Sequence, residues 1–127
     1  MDLEHARKLI DRALEGVTRF GKPICIAVCD ERGLLLGFVR MDGAPVRSVE
    51  IAQNKAYSAA RLGVTTAAFH ERMLRENMPA SYFGDPRLTG MPGGSVVLSA
   101  DGRVVGGVGI SGLAPSQDQE IADLMVQ

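Results

Sequence analysis

Several features that define common protein classes are scarce in this sequence. It has no tryptophan, two cysteines and two histidines, and its 14 lysines and arginines nearly balance 15 acidic residues, for a net charge of −1. This balance argues against a nucleic-acid or anionic-membrane partner. No apolar run approaches the roughly 20 residues that span a bilayer, and the charged opening segment is unlike a secretion signal. We therefore expect a cytoplasmic protein with a single domain over residues 1–127.

The few cysteines and histidines restrict the chemistry further. Cys25 and Cys29 are four positions apart in an apolar segment typical of a strand, so their backbones would be roughly 13 Å apart, too far for a disulfide. His5 and His70 do not have the spacing of a zinc site. His70 is able to ligate a metal or haem, but a packing or surface role is favoured for both histidines. The metal site, if there is one, stays unknown.

Hydrophobic periodicity predicts four helices and four strands in the order α, ββ, αα, ββ, α. Two hairpins, joined at the turn signals of residues 30–33 and 101–102, surround a pair of helices. This order predicts an α+β domain in which helices pack on an antiparallel sheet. The predicted helices cover residues 2–20, 47–63, 65–77 and 115 onward, and the predicted strands cover residues 24–29, 34–41, 95–99 and 103–111.

The last predicted strand has one face nearly bare of side chains, formed by Val105, Gly107, Gly109 and Ser111. Such a face permits the close approach of a helix, a second subunit or a flat ligand. The same stretch matches the dinucleotide pattern G-x-G-x-x-G by its letters, but a hairpin strand is the wrong context for a Rossmann site. Ser111 also lacks the partners of a serine hydrolase.

The main polar constellation is formed by Arg40, Asp42 and Lys55. Arg40 and Asp42 follow a strand and enter a glycine turn, and Lys55 borders the apolar stripe of the second predicted helix. Arg can bind a carboxylate through two hydrogen bonds, and a partly desolvated Lys can balance an anion or transfer a proton. A structural ion pair between strand end and helix explains the same residues equally well.

The long segment 79–94 contains three prolines and several glycines. Loops of this length in small domains often have a function. Its Tyr82, Phe83 and Arg87 either close over a ligand or hold the loop against the core, and the second interpretation is slightly favoured.

Several short motifs are distributed along the chain: Ala27-Val28-x-Asp30-x-x-Gly33, Arg40-Met41-Asp42-Gly43-Ala44, Ser48, Ala52-x-x-Lys55-Ala56, Gly93-Gly94, Asp101-Gly102, Gly106-x-x-Gly109-x-Ser111-Gly112 and Gln117-Asp118. Through these motifs the chain resembles the GlcG/HbpS-like family, which includes haem-degrading domains and the C-terminal domain of PduO-type corrinoid adenosyltransferases. The resemblance covers nearly the whole chain, although Val96 stands where the family commonly has proline. It implies a profilin-like sandwich with about five antiparallel strands, assembly into dimers or larger rings, and haem binding, corrinoid-related roles or small-aromatic lyase activity in different branches.

Three functional hypotheses follow. The first is a homo-oligomeric domain that binds a planar, carboxylate-bearing small molecule such as haem, with ligand-binding residues Arg40, Asp42, Lys55, Gly94 and Ser111. The second is a lyase or isomerase in which Asp42 or Lys55 is the catalytic group for proton transfer. The third is an assembly module without a ligand.

Overall fold

A computed structural model describes all residues of the chain, 1–127. The predicted order of elements is confirmed, and each boundary differs from the predicted one by a few residues at most. Short 3₁₀ turns follow the first helix at Val17–Phe20 and interrupt the long loop at Ala80–Phe83. The helices are α1 (Leu3–Gly16), α2 (Ser48–Leu62), α3 (Thr66–Glu76) and α4 (Pro115–Met125), and the strands are β1 (Cys25–Asp30), β2 (Leu35–Arg40), β3 (Gly94–Leu98) and β4 (Val104–Ser111).

The strands form one antiparallel sheet in the order β2-β1-β4-β3. The two hairpins thus lie side by side, with β1 and β4 at the centre and β2 and β3 at the edges. The sheet has four strands, fewer than the five or so that the family resemblance implied. Residues 79–93 add no strand, because Pro79, Pro86 and Pro92 cannot donate to a ladder and this segment forms turns instead.

Helices cover both faces of this sheet, so the α+β class is confirmed as a three-layer arrangement. One face carries Ile24, Ile26 and Val28 and packs against α1 and α4. The other face carries Cys25, Ala27 and Cys29 and packs against the alanines of α2. Both cysteines are buried, and they are free, as their predicted separation required. β1 is therefore apolar on both of its faces because each face is covered.

The nearly bare face of β4 packs directly against α2. A side chain at Gly109 would collide with the backbone carbonyl of Ala52, and one at Gly107 would collide with that of Ala56. The missing side chains let the helix backbone rest directly on the strand, which is why small residues occupy both surfaces. Of the possible occupants of this face, the structure shows a helix of the same chain.

Candidate functional site

Lys55 lies in the middle of α2 and is almost completely enclosed. Its side chain is 1% exposed and that of Asp118, at the start of α4, is 4% exposed. The Lys55 Nζ donates a hydrogen bond of 2.7 Å to the Ile110 carbonyl and one of 3.1 Å to Asp118 Oδ2. The other carboxylate oxygen of Asp118 accepts a hydrogen bond of 3.0 Å from the Leu113 N–H. Because α2 and α4 lie on opposite faces of the sheet, this ion pair links both helical layers.

Burial controls the titration of this pair. Desolvation lowers the pKa of Lys55, and the charge and hydrogen bond of Asp118 offset part of that effect. Desolvation likewise raises the pKa of Asp118, against the opposing influence of Lys55 and the Leu113 N–H. Each side chain therefore stays charged because its partner is charged, since an unpaired charge buried at this depth would cost a large desolvation free energy.

The turn before β3 makes room for the lysine. Gly93 has a φ of +130°, and a Cβ placed there would lie 2.7 Å from the Lys55 amine and 2.6 Å from the Ile110 carbonyl oxygen. Gly94 also lies in a close contact, since an added Cβ would be 2.6 Å from the Lys55 carbonyl oxygen. Its N–H donates to Thr66 Oγ1 at 2.8 Å. The absence of side chains at Gly93 and Gly94 thus lets α2 and the Lys55 side chain approach the edge of the sheet closely.

Ser111 is buried at the end of β4. Its hydroxyl donates a hydrogen bond of 3.0 Å to Ser48 Oγ in the first turn of α2. Ser111, Cys25 and Arg40 are successive cross-strand partners, so all three are on the face that α2 covers. At roughly 5 Å between strands, the backbones of Arg40 and Ser111 are about 10 Å apart.

Arg40 and Asp42 are the two predicted site residues that face solvent. The hydrogen bonds and ion pairs of the structure include neither of their side chains, and the ion-pair partner of Lys55 is Asp118. The expected direct corner of Arg40, Asp42 and Lys55 is therefore not what the fold forms. The reason is that Lys55 points through the end of the sheet towards α4, whereas Arg40 stands at the open edge of β2.

The edge strand β2 exposes an apolar strip next to Arg40. The helix α2 packs on β4, β1 and β3 and leaves β2 largely uncovered. On this face β2 presents Leu35, which is 50% exposed, and Phe38, which is half-buried against the α2 core. We use the name β2 strip for Leu35, Phe38 and Arg40. An unpaired cation thus stands at the end of a short apolar surface.

A second cluster lies on the outer side of α2 and was missed by the sequence analysis. Tyr57 donates a hydrogen bond of 2.6 Å to Asp85 Oδ2, and the Arg87 guanidinium lies 4.1 Å from the centre of the Tyr57 ring. This hydrogen bond is the main cause that raises the pKa of Tyr57 and lowers that of Asp85. Arg87 Nε also donates to Asn54 Oδ1 at 3.0 Å.

These contacts hold the long loop against α2. Phe83 packs edge-to-face on Phe69 with ring centres 5.2 Å apart, whereas Tyr82 is 74% exposed. Of the two interpretations of the loop, holding it to the core is thus the one that fits Phe83 and Arg87. The signal that could have located the cluster is Tyr57, a large aromatic in a helix otherwise rich in alanine.

The predicted site residues line none of the main surface depressions. The five main depressions have volumes of about 410 to 670 Å³, and none of them is lined by Arg40, Asp42 or Lys55. No group of three or more His, Cys, Asp or Glu side chains is arranged to hold a metal ion. None of the four helices has both the length and the apolar character needed to cross a membrane.

Known proteins resemble this chain over most or all of its length. The family described as "Haem degrading protein HbpS-like" matches residues 1–127. An uncharacterized 15.0 kDa protein from the dhaT-dhaS intergenic region of Citrobacter freundii is 32% identical over 126 residues, which are 95% of this chain and 86% of that protein. Protein GlcG of Escherichia coli K12 is 38% identical over 88 residues, or 69% of this chain and 63% of that protein.

Solved structures share the same architecture. A double mutant of HbpS from Streptomyces reticuli superimposes with a TM-score of 0.89 at 28% identity, covering 99% of this chain and 84% of that one. A complex of PduOC with heme superimposes with a TM-score of 0.87 at 24% identity, covering 99% of this chain and 92% of that one. Because the identity is only 24%, the comparison with PduOC shows a shared fold and nothing more.

Proposed function

The chain belongs to the family of haem-degrading HbpS-like proteins, and we propose that it is a small-ligand-binding domain whose ligand is planar and carries carboxylates, with haem as the first candidate. The observation that carries this proposal is the β2 strip. It combines an exposed apolar surface with a guanidinium that has no protein partner. A flat ring covers the apolar part, and Arg40 pairs with a carboxylate at the edge of that ring.

The residues of the strip fit one part of haem better than another. The apolar side chains and Arg40 suit the porphyrin face and its carboxylates. No sulfur ligand is accessible to the iron here, since Cys25 is buried beside the strip and desolvation raises the pKa of its thiol. Met41 packs on the opposite face of the sheet, where its sulfur accepts the Ile24 N–H at 3.4 Å. Binding on this surface therefore depends on the ring and its carboxylates, not on the metal.

In this proposal three of the other predicted site residues hold α2, which packs on the same face of the sheet beside the strip. Lys55 and Gly94 fix α2 against the end of the sheet, and Ser111 fixes its first turn. Asp42 follows Arg40 by two positions and is exposed, so it lies where it can orient the arginine. The proton-transfer hypothesis for Asp42 and Lys55 stays a prediction, and no contact between these two side chains favours it.

Assembly into the predicted homo-oligomer would also change how much of the β2 strip is exposed. Several large apolar side chains are exposed in the single chain, among them Leu34 at 56% and Val46 at 80%. A second copy that packs beside the β2 strip would shield both the strip and its ligand from water. Native mass spectrometry on the purified protein, with and without added haem, measures the subunit number and the number of bound ligands together.

A titration with two porphyrins tests the proposal. Haem and metal-free protoporphyrin are added to the full chain, and the shift of the Soret band is followed. We expect both to bind with similar affinity, because the strip holds the ring and not the iron. Arg40→Ala should weaken both by at least about tenfold, which corresponds to about 1.4 kcal/mol, close to the lower end of the range for a hydrogen bond to a charged group.

Two variants serve as comparisons for Arg40→Ala. Leu35→Ser removes apolar surface from the strip and should weaken binding, whereas Arg7→Ala removes an exposed arginine from α1 on the other side of the sheet and should have no effect. If Arg40→Ala, Arg7→Ala and the unchanged protein bound the porphyrins with equal affinity, the β2 strip would not be the binding surface. An unshifted Soret band in all of them would remove haem as the ligand.

A further inference from the structure

A separate depression at the carboxyl end of α3 collects soft metal-ligating atoms. It has a volume of about 410 Å³, and its lining includes His70, Met73 and Met78. The remaining lining residues carry no charge. This depression is distinct from the β2 strip and from the cluster around Tyr57, because it is built only from α3 and the segment that follows it.

Local backbone geometry brings the two methionines together. Asn77 has a φ of +50° and ends α3 in a left-handed cap, and the Met78 N–H donates a hydrogen bond of 2.9 Å to the Met73 carbonyl. This six-to-one bond defines a Schellman motif, in which the side chain after the cap folds back towards the one at the start of the last turn. Met78 therefore faces Met73 across the helix end.

His70 belongs to the same column. It precedes Met73 by three positions, so the two side chains lie on one face of α3. Gly90 of the long loop packs against this column, since a Cβ at Gly90 would lie 3.3 Å from His70 Cβ and would collide with the Met73 methyl group. The helix end and the loop thus fix these two residues in position.

The candidate ligands are free to bind. The His70 ring is exposed and takes part in no hydrogen bond or ion pair of the structure. Met73 and Met78 are half-buried, line the depression and belong to neither hydrophobic core cluster. The nearest charged pair on α3, Arg72 with Glu76, is satisfied within itself at 2.8 Å.

We propose that His70, Met73 and Met78 form a binding site for monovalent copper. Thioether sulfur is a soft ligand that selects Cu(I), and imidazole is a good copper ligand. The absence of any carboxylate from the lining disfavours Mg²⁺, Ca²⁺ and Mn²⁺, which prefer oxygen ligands. One nitrogen and two sulfur atoms satisfy Cu(I) without any change in its oxidation state.

Anaerobic competition against bicinchoninate tests the site. Cu(I) is supplied as its acetonitrile complex to the full chain in chloride-free buffer, and the protein should withdraw one equivalent from the indicator. Met73→Leu and Met78→Leu keep the volume of the depression while removing one sulfur each. Each variant, and His70→Ala, should lose at least about tenfold in affinity, since even indirect disturbance of a metal ligand costs that much.

Two controls separate this site from other sources of copper binding. His5→Gln removes the other imidazole, which lines a depression at the amino terminus, and Met91→Leu removes an exposed thioether outside the proposed site. Both should bind Cu(I) as the unchanged protein does. Unaltered affinity in Met73→Leu and Met78→Leu, or loss of binding in His5→Gln, would overturn the proposal. Circular dichroism melts of all variants show whether each one is folded.

Discussion

The buried ion pair between Lys55 and Asp118 offers the sharpest test of how this fold is held together. In Lys55→Met, the Asp118 carboxylate keeps the Leu113 N–H but loses its cation at a depth where only 4% of its side chain is exposed. Removing one partner of a buried pair costs about 3–5 kcal/mol, because an uncompensated charge remains. Domains of this size unfold at a cost of about 5–15 kcal/mol, so we expect a large part of the stability to be lost.

The pH dependence distinguishes the two single variants. Burial raises the pKa of Asp118 above its unfolded value, and removal of Lys55 increases that effect. The folded Lys55→Met protein therefore takes up a proton more readily than the unfolded chain does. Its deficit in unfolding free energy should be smallest below the unfolded pKa of the carboxyl and should grow as pH rises through the folded pKa.

Asp118→Asn should behave in the opposite way. Burial lowers the pKa of Lys55, and the loss of the carboxylate lowers it further. The unfolded chain then binds the proton that the folded protein releases, so the stability of this variant should rise with pH in the window between the lowered pKa and the ordinary lysine value.

Urea unfolding followed by circular dichroism measures these effects, since the chain has no tryptophan for fluorescence. The matched control is Glu120→Gln on the same helix, which breaks a pair with Arg19 at 2.9 Å whose side chains are 54% and 53% exposed. Such an exposed pair contributes at most about 1 kcal/mol. The double variant Lys55→Met/Asp118→Leu should recover much of the loss, because it leaves no unpaired charge. A deficit in Lys55→Met no larger than that of Glu120→Gln, or the same pH trend in both single variants, would refute the reasoning.

Two further predictions concern close packing and the Tyr57 cluster. Gly109→Ala should destabilise the protein because the new methyl group collides with the Ala52 carbonyl. Overpacking of this kind costs about 1–3 kcal/mol or more, and urea unfolding measures the loss. In a Tyr82→Phe background, absorbance at 295 nm reports Tyr57 alone, and its ionisation midpoint should be above the ordinary tyrosine value and should fall in Asp85→Asn. The Tyr57–Asp85 hydrogen bond should contribute its full stability between the unfolded pKa of the Asp85 carboxyl and the unfolded pKa of the Tyr57 phenol. This contribution should be lost as pH falls through the lowered folded pKa of Asp85, or as pH rises through the raised folded pKa of Tyr57.

Each of these two predictions has its own comparison. At Gly37 the one tight contact of an added Cβ is with the end of the flexible Ile10 side chain, so Gly37→Ala should cost clearly less than Gly109→Ala. Equal costs would show that α2 can shift away from β4. For the tyrosine, a midpoint that stays the same in Asp85→Asn would mean that the hydrogen bond does not control the ionisation of Tyr57.

Much of the fold was predictable because its elements depend on local signals. Gly21, with a φ of +63°, follows the first helix and its 3₁₀ extension, and Thr65 caps α3 through its side chain. Asp101-Gly102 closes the second hairpin with a φ of +86° at the glycine. Such residues act within a few positions of the chain, so their effect is visible without the rest of the molecule. The family resemblance was inferred from short motifs distributed along the chain, and the family match over residues 1–127 confirmed it.

The candidate site was less predictable because long side chains choose partners that are remote in sequence. Lys55 was correctly placed at the border of the apolar stripe, but 63 positions separate it from Asp118. The same limit applies to Tyr57 and Asp85, whose contact spans 28 positions. In both cases the residue types were visible and the pairing was not.

The sequence by itself determined the order of helices and strands, the two-sided burial of β1 and the bare surface of β4, since these follow from periodicity and from the absence of side chains. The tertiary structure alone decided which face each polar group meets. It directs the Lys55 amine past Gly93 towards Asp118, and it leaves Arg40 unpaired at an uncovered edge strand. The physical reason is that a buried charge must be satisfied by whatever group the packing of distant elements places within about 3 Å of it.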